Sequence, residues 1–429
     1  MSSPHRPQPP FGRRPDRPTS RGHGPRPVGI RPQPAPPESA DWPRPWVQLR
    51  YFSQHSAIFP NMVGATSADA GAGDLVHVRD REGQAFGTGF FNPKARVPLR
   101  ILRHQPEPLT EDGLDARLAD ALQLRSDLLR LPETTEAWRA IHSDGDGLPG
   151  LIVDRLGDTL SIEVTTLAVW RRLRRWLPLL HRTCGTAHHV IHLDPDIARM
   201  EGMRFADVPE ADDPAPQKVR FTESGIRYGA DFQTGHKTGF FCDQRDNRAQ
   251  LGRWARGRVL DLCCYTGGFS LAARLQAGCE DVTGVDLDEK AIAQAKANAN
   301  YNQTRIHWVH GDAFTWGRQM LQNREQWDTV VLDPPKLIHR RDDQDEGIFK
   351  YRDLNALAFQ LVRPGGLLVT CSCSGLLSAE AFEELVIGSA HRRGHRLQIL
   401  DRTGAGSDHP VFSHVPEGRY LKVLWCRVW

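Results

Sequence analysis

The chain has 429 residues, 39% of them hydrophobic, enough to bury the cores of two or three domains, and no apolar run approaches the roughly 18 residues that a membrane-spanning helix needs. Eight cysteines without framework-like spacing, and no signal peptide, exclude a disulfide-stapled secreted scaffold and lead us to expect a cytoplasmic protein. With 55 basic against 52 acidic residues the chain is not basic throughout, so any nucleic-acid contact has to come from local patches.

Residues 1–45 hold 14 of the 31 prolines and eight arginines, against Asp16, Glu38 and Asp41. So few aliphatic side chains cannot offset ordering entropy, and the segment is predicted to be a disordered tail. An arm touching phosphates without regard to sequence and a passive solubilising tail both fit this composition.

Residues 46–107 read as a small β domain. Leu75–Val78, Ala85–Phe91 and Val97–Leu102 are short β-like runs broken by Gly and Asn. A central α+β domain is expected over 108–218. It opens with an amphipathic helix over 114–131, with Leu118, Leu122 and Leu129 on its apolar side. A turn-rich loop at 143–150 and strands at 151–154 and 159–164 follow. The run Trp170–Leu177 has helical spacing with arginines outward, which reads as a solvated face before it reads as an RNA patch.

From residue 219 to the end, strands and helices alternate. Val259–Leu262, Val282–Val285, Ile306–His310, Thr329–Leu332 and Leu367–Thr370 are strands, with helical stretches such as Glu289–Tyr301 between them. This is the α/β pattern of a parallel sheet with crossover helices.

The first three of these strands each end in an acid: Asp261, Asp286 and Asp312. A carboxylate after the second strand can accept ribose hydroxyls, and one after the third can meet an adenine amino group. The first turn, Cys263-Cys264-Tyr265-Thr266-Gly267-Gly268, lacks Gly-x-Gly-x-x-Gly, and the chain has no Gly-Lys-Ser/Thr phosphate cradle. Three carboxylates without a phosphate cradle describe a nucleoside that carries positive charge, and S-adenosylmethionine fits. Each aspartate alone is also an ordinary helix cap.

The fourth strand runs into Asp333-Pro334-Pro335-Lys336 and the fifth into Cys371-Ser372-Cys373-Ser374-Gly375. An amino methyltransferase would need an aromatic residue where Lys336 stands. A carbon-5 pyrimidine methyltransferase needs a thiol, because a thiolate added to carbon 6 makes carbon 5 enamine-like. Cys371 and Cys373 share one side of the strand, and Cys373 is nearer its carboxyl end, so Cys373 is the expected nucleophile. Asp333 is expected to hydrogen-bond ring nitrogen 3 and favour charge build-up there. The base that removes the carbon-5 proton is not named by the sequence, although His409 and Glu417 lie in a polar segment near the sheet's end. No Cys/His set has zinc-site spacing.

Several stretches resemble one family: Ser143-Asp144-Gly145 through Asp154-Arg155, Gly235-His236-Lys237-Thr238-Gly239-Phe240-Phe241 with Asp243-Gln244-Arg245, and Tyr265-Thr266-Gly267-Gly268-Phe269. Asp333-Pro334-Pro335-Lys336, Ser372-Cys373-Ser374-Gly375, and His409-Pro410-Val411 with Pro416-Glu417-Gly418 complete the set. In this order they resemble bacterial 23S rRNA cytosine-5 methyltransferases of the RlmI type, which carry an N-terminal PUA domain. The resemblance implies a PUA-like β-barrel, a small central α+β domain and a class I (Rossmann-like) methyltransferase domain over 219–429. It implies Cys373 as nucleophile and S-adenosylmethionine held by Tyr265, Thr266, Gly267, Asp286, Asp312 and Gln244, with Asp261 at the first strand end. It also implies a cytosine of large-subunit rRNA as substrate, free or in an assembly intermediate, and leaves room for a homodimer.

The alternatives are an amino or guanine-N7 methyltransferase without covalent catalysis, and a catalytically idle RNA-binding assembly factor. One departure concerns RNA docking. The family's basic, aromatic opening of the PUA domain stands here as Gln54-His55-Ser56-Ala57-Ile58-Phe59. If the arginine arm compensates, deleting residues 1–45 will weaken RNA binding and flatten its dependence on salt, read from binding constants across a salt series. Unchanged binding would leave the segment as a solubilising tail.

Overall fold

The structure is a computed structural model that describes residues 29–204, 216–233 and 238–429. The motif residues Gly235, His236 and Lys237, and residues 1–28 of the arginine arm, lie outside the described residues.

Strands β1 (Trp46–Leu49), β2 (Ala57–Ile58), β3 (Val63–Thr66), β4 (Asp74–Arg79), β5 (Ala85–Phe91) and β6 (Leu99–Arg103) form one sheet in the order β2-β6-β5-β4-β1-β3. It closes around Val47, Leu49, Val63, Val76, Val78, Phe91, Leu99 and Ile101. Residues 29–45, expected to be disordered, instead lie along this barrel. Gln33 N donates to the Gly64 carbonyl at 2.9 Å, and Arg50 donates to the Arg31 carbonyl at 2.7 Å. The Trp42 ring meets Trp46 edge-on at 4.8 Å, with the Arg79 guanidinium 5.2 Å from its centre. Trp42, the one tryptophan of residues 1–45, supplies against Trp46 of β1 the apolar contact that the composition of the tail as a whole lacks.

Helix α1 (Glu111–Gln123) is capped by Thr110, which accepts from Gly113 N, and buries Leu114, Leu118 and Leu122. It ends earlier than the expected 131, because Leu124–Leu128 widen into a π turn. The wider turn carries Arg125 inward, where its guanidinium is buried against Asp146. Strands β7 (Ala137–His142), β8 (Leu151–Leu156) and β9 (Thr159–Val164), helix α2 (Leu167–Cys184), strand β10 (His188–His192) and helix α3 (Pro195–Glu201) follow. Their sheet runs β10-β9-β8-β7. Arg171, Arg174 and Arg175 of α2 are exposed, as a solvated face requires, but three arginines of the run are also held in ion pairs. Arg171 pairs with Asp74 of the barrel, Arg172 with Glu111, and Arg175 with Asp112 and Asp115 of α1.

A hairpin of β11 (Lys218–Glu223) and β12 (Ile226–Asp231) precedes the last sheet. Its Phe221, Tyr228 and Ala230 share a core with Leu271, Ala272 and Ala299 of the C-terminal body. The remaining elements are α4 (Arg245–Trp254), β13 (Val259–Leu262), α5 (Gly268–Leu275), β14 (Val282–Asp286), α6 (Glu289–Tyr301), β15 (His307–His310) and α7 (Ala313–Gln322). After them come β16 (Trp327–Leu332), α8 (Gln344–Leu361), β17 (Val362–Ser372), α9 (Ala379–His391), β18 (Leu397–Thr403) and β19 (Lys422–Val428). The seven strands run β15-β14-β13-β16-β17-β19-β18, with β19 antiparallel to both neighbours and the first five parallel. β13 is buried along its whole length because helices cover both faces, which is why its residues do not alternate. The strand order reverses between β13 and β16, which opens a crevice at their carboxyl ends. No helix among the described residues is long and apolar enough to cross a membrane.

Extending an N-terminal deletion from residue 28 to residue 45 is expected to lower the melting temperature by about 4 °C or more, because Trp46 loses its ring partner and about 1–2 kcal/mol of packing. Equal melting temperatures for the two truncations would remove any packing role for residues 29–45.

Candidate active site

The turn after β13 is unusual in its backbone. Cys263 and Tyr265 are both left-handed, at φ 63° and 48°, a conformation that costs each non-glycine residue about 1–2 kcal/mol. The strain is held by hydrogen bonds: Cys264 N donates to the Val285 carbonyl at 3.0 Å, and Tyr265 N to Asp286 Oδ2 at 2.8 Å. Gly267 is also left-handed, and a Cβ there would stand 2.4 Å from the Trp308 indole. Thr266 is buried, and its carbonyl accepts from Asn298 at 3.0 Å.

Asp261, Tyr265, Thr266, Gly267, Asp286 and Asp312 thus gather at the carboxyl ends of β13, β14 and β15 and the turns that follow them. Part of each aspartate does the ordinary capping work. Asp261 Oδ2 accepts from Ser270 N at 3.0 Å and from its hydroxyl at 2.7 Å. Asp312 is exposed and caps α7 through Thr315 N at 2.8 Å. Asp286 holds its second oxygen on Asp288 N at 2.9 Å. Two carboxylate oxygens remain: Asp261 Oδ1 and Asp243 Oδ1 are buried with no hydrogen-bond partner among the described residues. Burial pushes the Asp261 carboxyl up to about 7, with Asp286 adding to the rise. Buried acceptors without donors fit a ligand that brings positive charge and N–H groups, which the sulfonium and ammonium of S-adenosylmethionine supply.

Gln244 is placed differently from the other cofactor candidates. Its amide donates to Asp333 Oδ2 at 3.0 Å and accepts from Asn247 at 2.7 Å, so it stands beside the acceptor carboxylate. Leu332 of β16 pairs with Thr370 of β17, which puts Asp333 level with Cys371 and Cys373 one step beyond. Burial, then Asp243 and Asp261, push the Asp333 carboxyl up to about 7, against the opposing bonds from Gln244 and Cys371.

The two cysteines differ in environment. Cys371 is fully buried, and burial with the Asp333 charge raises its thiol well above the ordinary value. Cys373 is half-buried, just past the end of β17. The loop that carries it is pinned on both sides. Ser374 Oγ takes the Ile338 N–H at 3.2 Å and lies 2.9 Å from the Tyr351 hydroxyl, and the Ser372 hydroxyl donates to Tyr351 at 3.0 Å. Lys422 Nζ donates to the Ser374 carbonyl at 2.6 Å. Sequence reasoning missed Tyr351 and Lys422. The signal for Lys422 was a lysine opening the otherwise apolar strand Lys422-Val423-Leu424-Trp425.

The two base candidates sit elsewhere by their contacts. Glu417 is exposed and pairs with His55 of the barrel at 2.5 Å. His409 is buried against Asp408 at 2.9 Å, with its ring 4.8 Å from His142. Asp408 is the hub of a lock between the central and C-terminal domains. It accepts from Arg245 at 2.6 and 3.1 Å and from Arg139 N at 2.8 Å, while its carbonyl accepts from Arg125 at 2.6 Å. Gly145 belongs to the same contact, since a Cβ there would stand 2.0 Å from the Pro410 carbonyl oxygen. His142 lies in this cluster, and burial with His409 and Arg139 pushes it down to about 2, so it stays neutral.

Comparison with known proteins agrees with this geometry. The PUA-like domain family matches residues 48–104 and a methyltransferase domain family matches residues 259–366. The ribosomal RNA large subunit methyltransferase I of Tolumonas auensis is 34% identical over 385 residues, covering 87% of this chain and 95% of that protein. The protein of the same name from Erwinia tasmaniensis is 32% identical over 380 residues, covering 87% and 96%. Among solved structures, a Streptococcus mutans protein assigned to the SAM-dependent methyltransferases aligns with a TM-score of 0.67 at 19% identity, over 84% of this chain and 93% of that one. Another methyltransferase-class protein, crystallised with SAH, gives 0.68 at 20% identity, over 83% and 91%. These two likenesses concern the fold.

Replacing Asp408 by Asn is expected to destabilise the protein by about 3–5 kcal/mol in denaturant unfolding, because it strands the buried Arg245. Burial alone would raise the Asp408 carboxyl, but His409 and Arg245 overcome it and hold it below the usual range. Its contribution is therefore present above about pH 4 and shrinks as pH falls, so wild type and variant should converge in acid.

Proposed function

Because the chain belongs to the ribosomal RNA large subunit methyltransferase I family, we propose that it methylates carbon 5 of a cytosine in large-subunit rRNA through a covalent adduct on Cys373. The observation that supports this reading is the pairing of β16 with β17, which brings Asp333, a carboxyl of raised pKa, level with Cys371, with the half-buried Cys373 two residues further along at the carboxyl ends of these strands, beside the strained β13 turn.

S-adenosylmethionine supplies the electrophilic methyl group. Asp286 and Asp312 would meet its nucleoside end, and Asp261, with the backbone of Tyr265 to Gly267, its charged end. Cys373, as thiolate, forms a bond to carbon 6, and the electron pair of the 5,6 double bond becomes available at carbon 5. Asp333, protonated in a large share of molecules near neutrality, donates to ring nitrogen 3 in that form and offsets the charge that accumulates there. Gln244 holds the other oxygen of Asp333 and so fixes which one faces the ring. After carbon 5 is methylated its proton leaves, and the carbon 6–sulfur bond breaks to restore the double bond and the thiolate.

The alternatives separate cleanly. With rRNA bearing 5-fluorocytosine the carbon-5 substituent cannot leave, so the wild type is expected to accumulate a covalent adduct and Cys373→Ala to form none. An adduct on Cys373→Ala would move the nucleophile to Cys371. Methylation without any adduct would favour amino or guanine-N7 transfer.

Asp333 gives a second prediction, in pH. Its proton is lost above about 7 while thiolate formation improves, so kcat/KM should pass through a maximum. Asp333→Asn should cost about 10²-fold or more in kcat/KM and flatten the alkaline limb of the profile. An alkaline limb unchanged in the variant would sink the assignment.

A further inference from the structure

Lys422 is the residue at the site that neither the motifs nor the mechanism above accounts for. It opens β19, pairs across the sheet with Ser372, and is 6% exposed. An ammonium has three N–H donors. Two of them go to backbone carbonyls, Ser374 at 2.6 Å and Tyr420 at 2.8 Å. Neither acceptor carries charge, and among the described residues no carboxylate forms an ion pair with Lys422.

A buried ammonium without a counter-ion is costly. Burial duly pushes Lys422 down to about 8, and the one negative group that opposes this is the thiolate of Cys373, while Lys336 of the Asp-Pro-Pro-Lys loop adds to the depression. Such coupling is reciprocal: whatever the thiolate does for the ammonium, the ammonium does for the thiolate. Cys371 and the Tyr351 hydroxyl also sense Cys373, and both are raised and neutral near pH 7. Lys422 is thus the buried cation facing the thiol, and Lys336 is an exposed second one.

We propose that Lys422 is the positioning residue of the nucleophile: its ammonium is the counter-ion of the Cys373 thiolate, and its two carbonyl bonds hold the loop that aims the sulfur. The proposal rests on Cys373 being the nucleophile. A cation that is buried, held by two fixed carbonyls and supplied by a strand can stabilise a thiolate without reorganising when the charge forms. The same cation would remain paired through the elimination step, when the thiolate is regenerated as leaving group.

The test reads the thiol directly, without RNA. The pH dependence of iodoacetamide alkylation at Cys373, followed by mass spectrometry of its peptide, is expected to have a midpoint below the ordinary thiol value of about 8.5. In Lys422→Met the midpoint should rise by about one unit, so that the alkylation rate at pH 7 falls about tenfold, whereas Lys422→Arg should keep most of it. A midpoint unmoved in Lys422→Met overturns the proposal.

Should Lys422→Met not fold, the reciprocal measurement decides. The chain has eight lysines, few enough to assign by NMR with 13C-labelled lysine, using Lys422→Arg to identify the signal. Lys422 should titrate at lower pH in Cys373→Ala than in wild type, and an equal midpoint overturns the proposal. Failure of the underlying reading looks different: the 5-fluorocytosine adduct would form on another residue, whatever the alkylation profile shows.

Discussion

The architecture depends on one buried carboxylate. Asp408 has four lone-pair sites, and all four are filled: Arg139 N and one Arg245 nitrogen on Oδ2, the other Arg245 nitrogen and His409 on Oδ1. Each partner comes from a different place. Arg139 is in β7 of the central sheet, Arg245 opens α4, and His409 follows in the loop between β18 and β19. A charge taken out of water with any site unfilled would cost several kcal/mol, so the lock tolerates only one relative placement of the two domains. The π turn that ends α1 belongs to the same constraint. It turns Arg125 in to bond both Asp146 and the Asp408 carbonyl, at the expense of a regular helix end. Asp146 in turn accepts from His142 N at 2.6 Å, so the Ser143–Asp146 turn is held by the arginine that holds Asp408.

At the sheet edge, charge is segregated. Around the β13 turn and the end of β16 stand Asp243, Asp261, Asp286 and Asp333, two of them with carboxyls raised to about 7 by burial and by one another. Past the end of β17 stand Lys422 and Lys336 with Cys373. A cationic methyl donor belongs with the first group and an anionic nucleophile with the second. Each set stabilises the charge that its own ligand or side chain brings. The same division separates Cys371 from Cys373 although both lie on the same side of β17. Cys371 is on the acidic side, against Asp333, where a thiolate is disfavoured twice, by burial and by like charge.

Much of the C-terminal domain was legible in the sequence because its signals are local. Fully apolar strands such as Val259–Leu262, acids at strand ends and a Pro-Pro after the fourth strand each report the element they stand in. What could not be read was long-range pairing. Nothing near Lys422 in sequence says that its ammonium reaches the Ser374 carbonyl 48 residues away, and nothing near Arg125 says that it meets Asp408, 283 residues on. The pairing of the arginine row of α2 was hidden for the same reason. Its partners, Asp74, Glu111 and Asp115, come from other elements, so helical spacing alone could distinguish solvent from RNA but not either from a row of ion pairs to α1 and the barrel. The motif does not reveal that Gln244 hydrogen-bonds Asp333, a contact that only the third dimension carries.

The altered opening of the barrel gains a physical role from these contacts. Where a basic and aromatic segment was expected, His55 reaches Glu417 and the Ser56 hydroxyl donates to Asp144 at 3.1 Å, both on the lock's periphery. A row of rings continues the contact: Phe52 to Phe86 at 5.7 Å, Phe86 to His104 at 5.6 Å, His104 to His414 at 5.4 Å and His414 to Phe412 at 5.3 Å. The barrel is therefore joined to the 408–418 loop by polar pairs and by ring packing, and that loop runs on to Tyr420 and Lys422. Tyr420 donates to Asp243 at 2.7 Å, and Lys422 holds the Cys373 loop. Contacts and the chain itself thus lead from the first strands to the Cys373–Ser374 loop. Substitution of the segment at 54–59 is coupled to the catalytic loop by packing, and the barrel acts as a buttress for the active site whatever RNA contact it also makes.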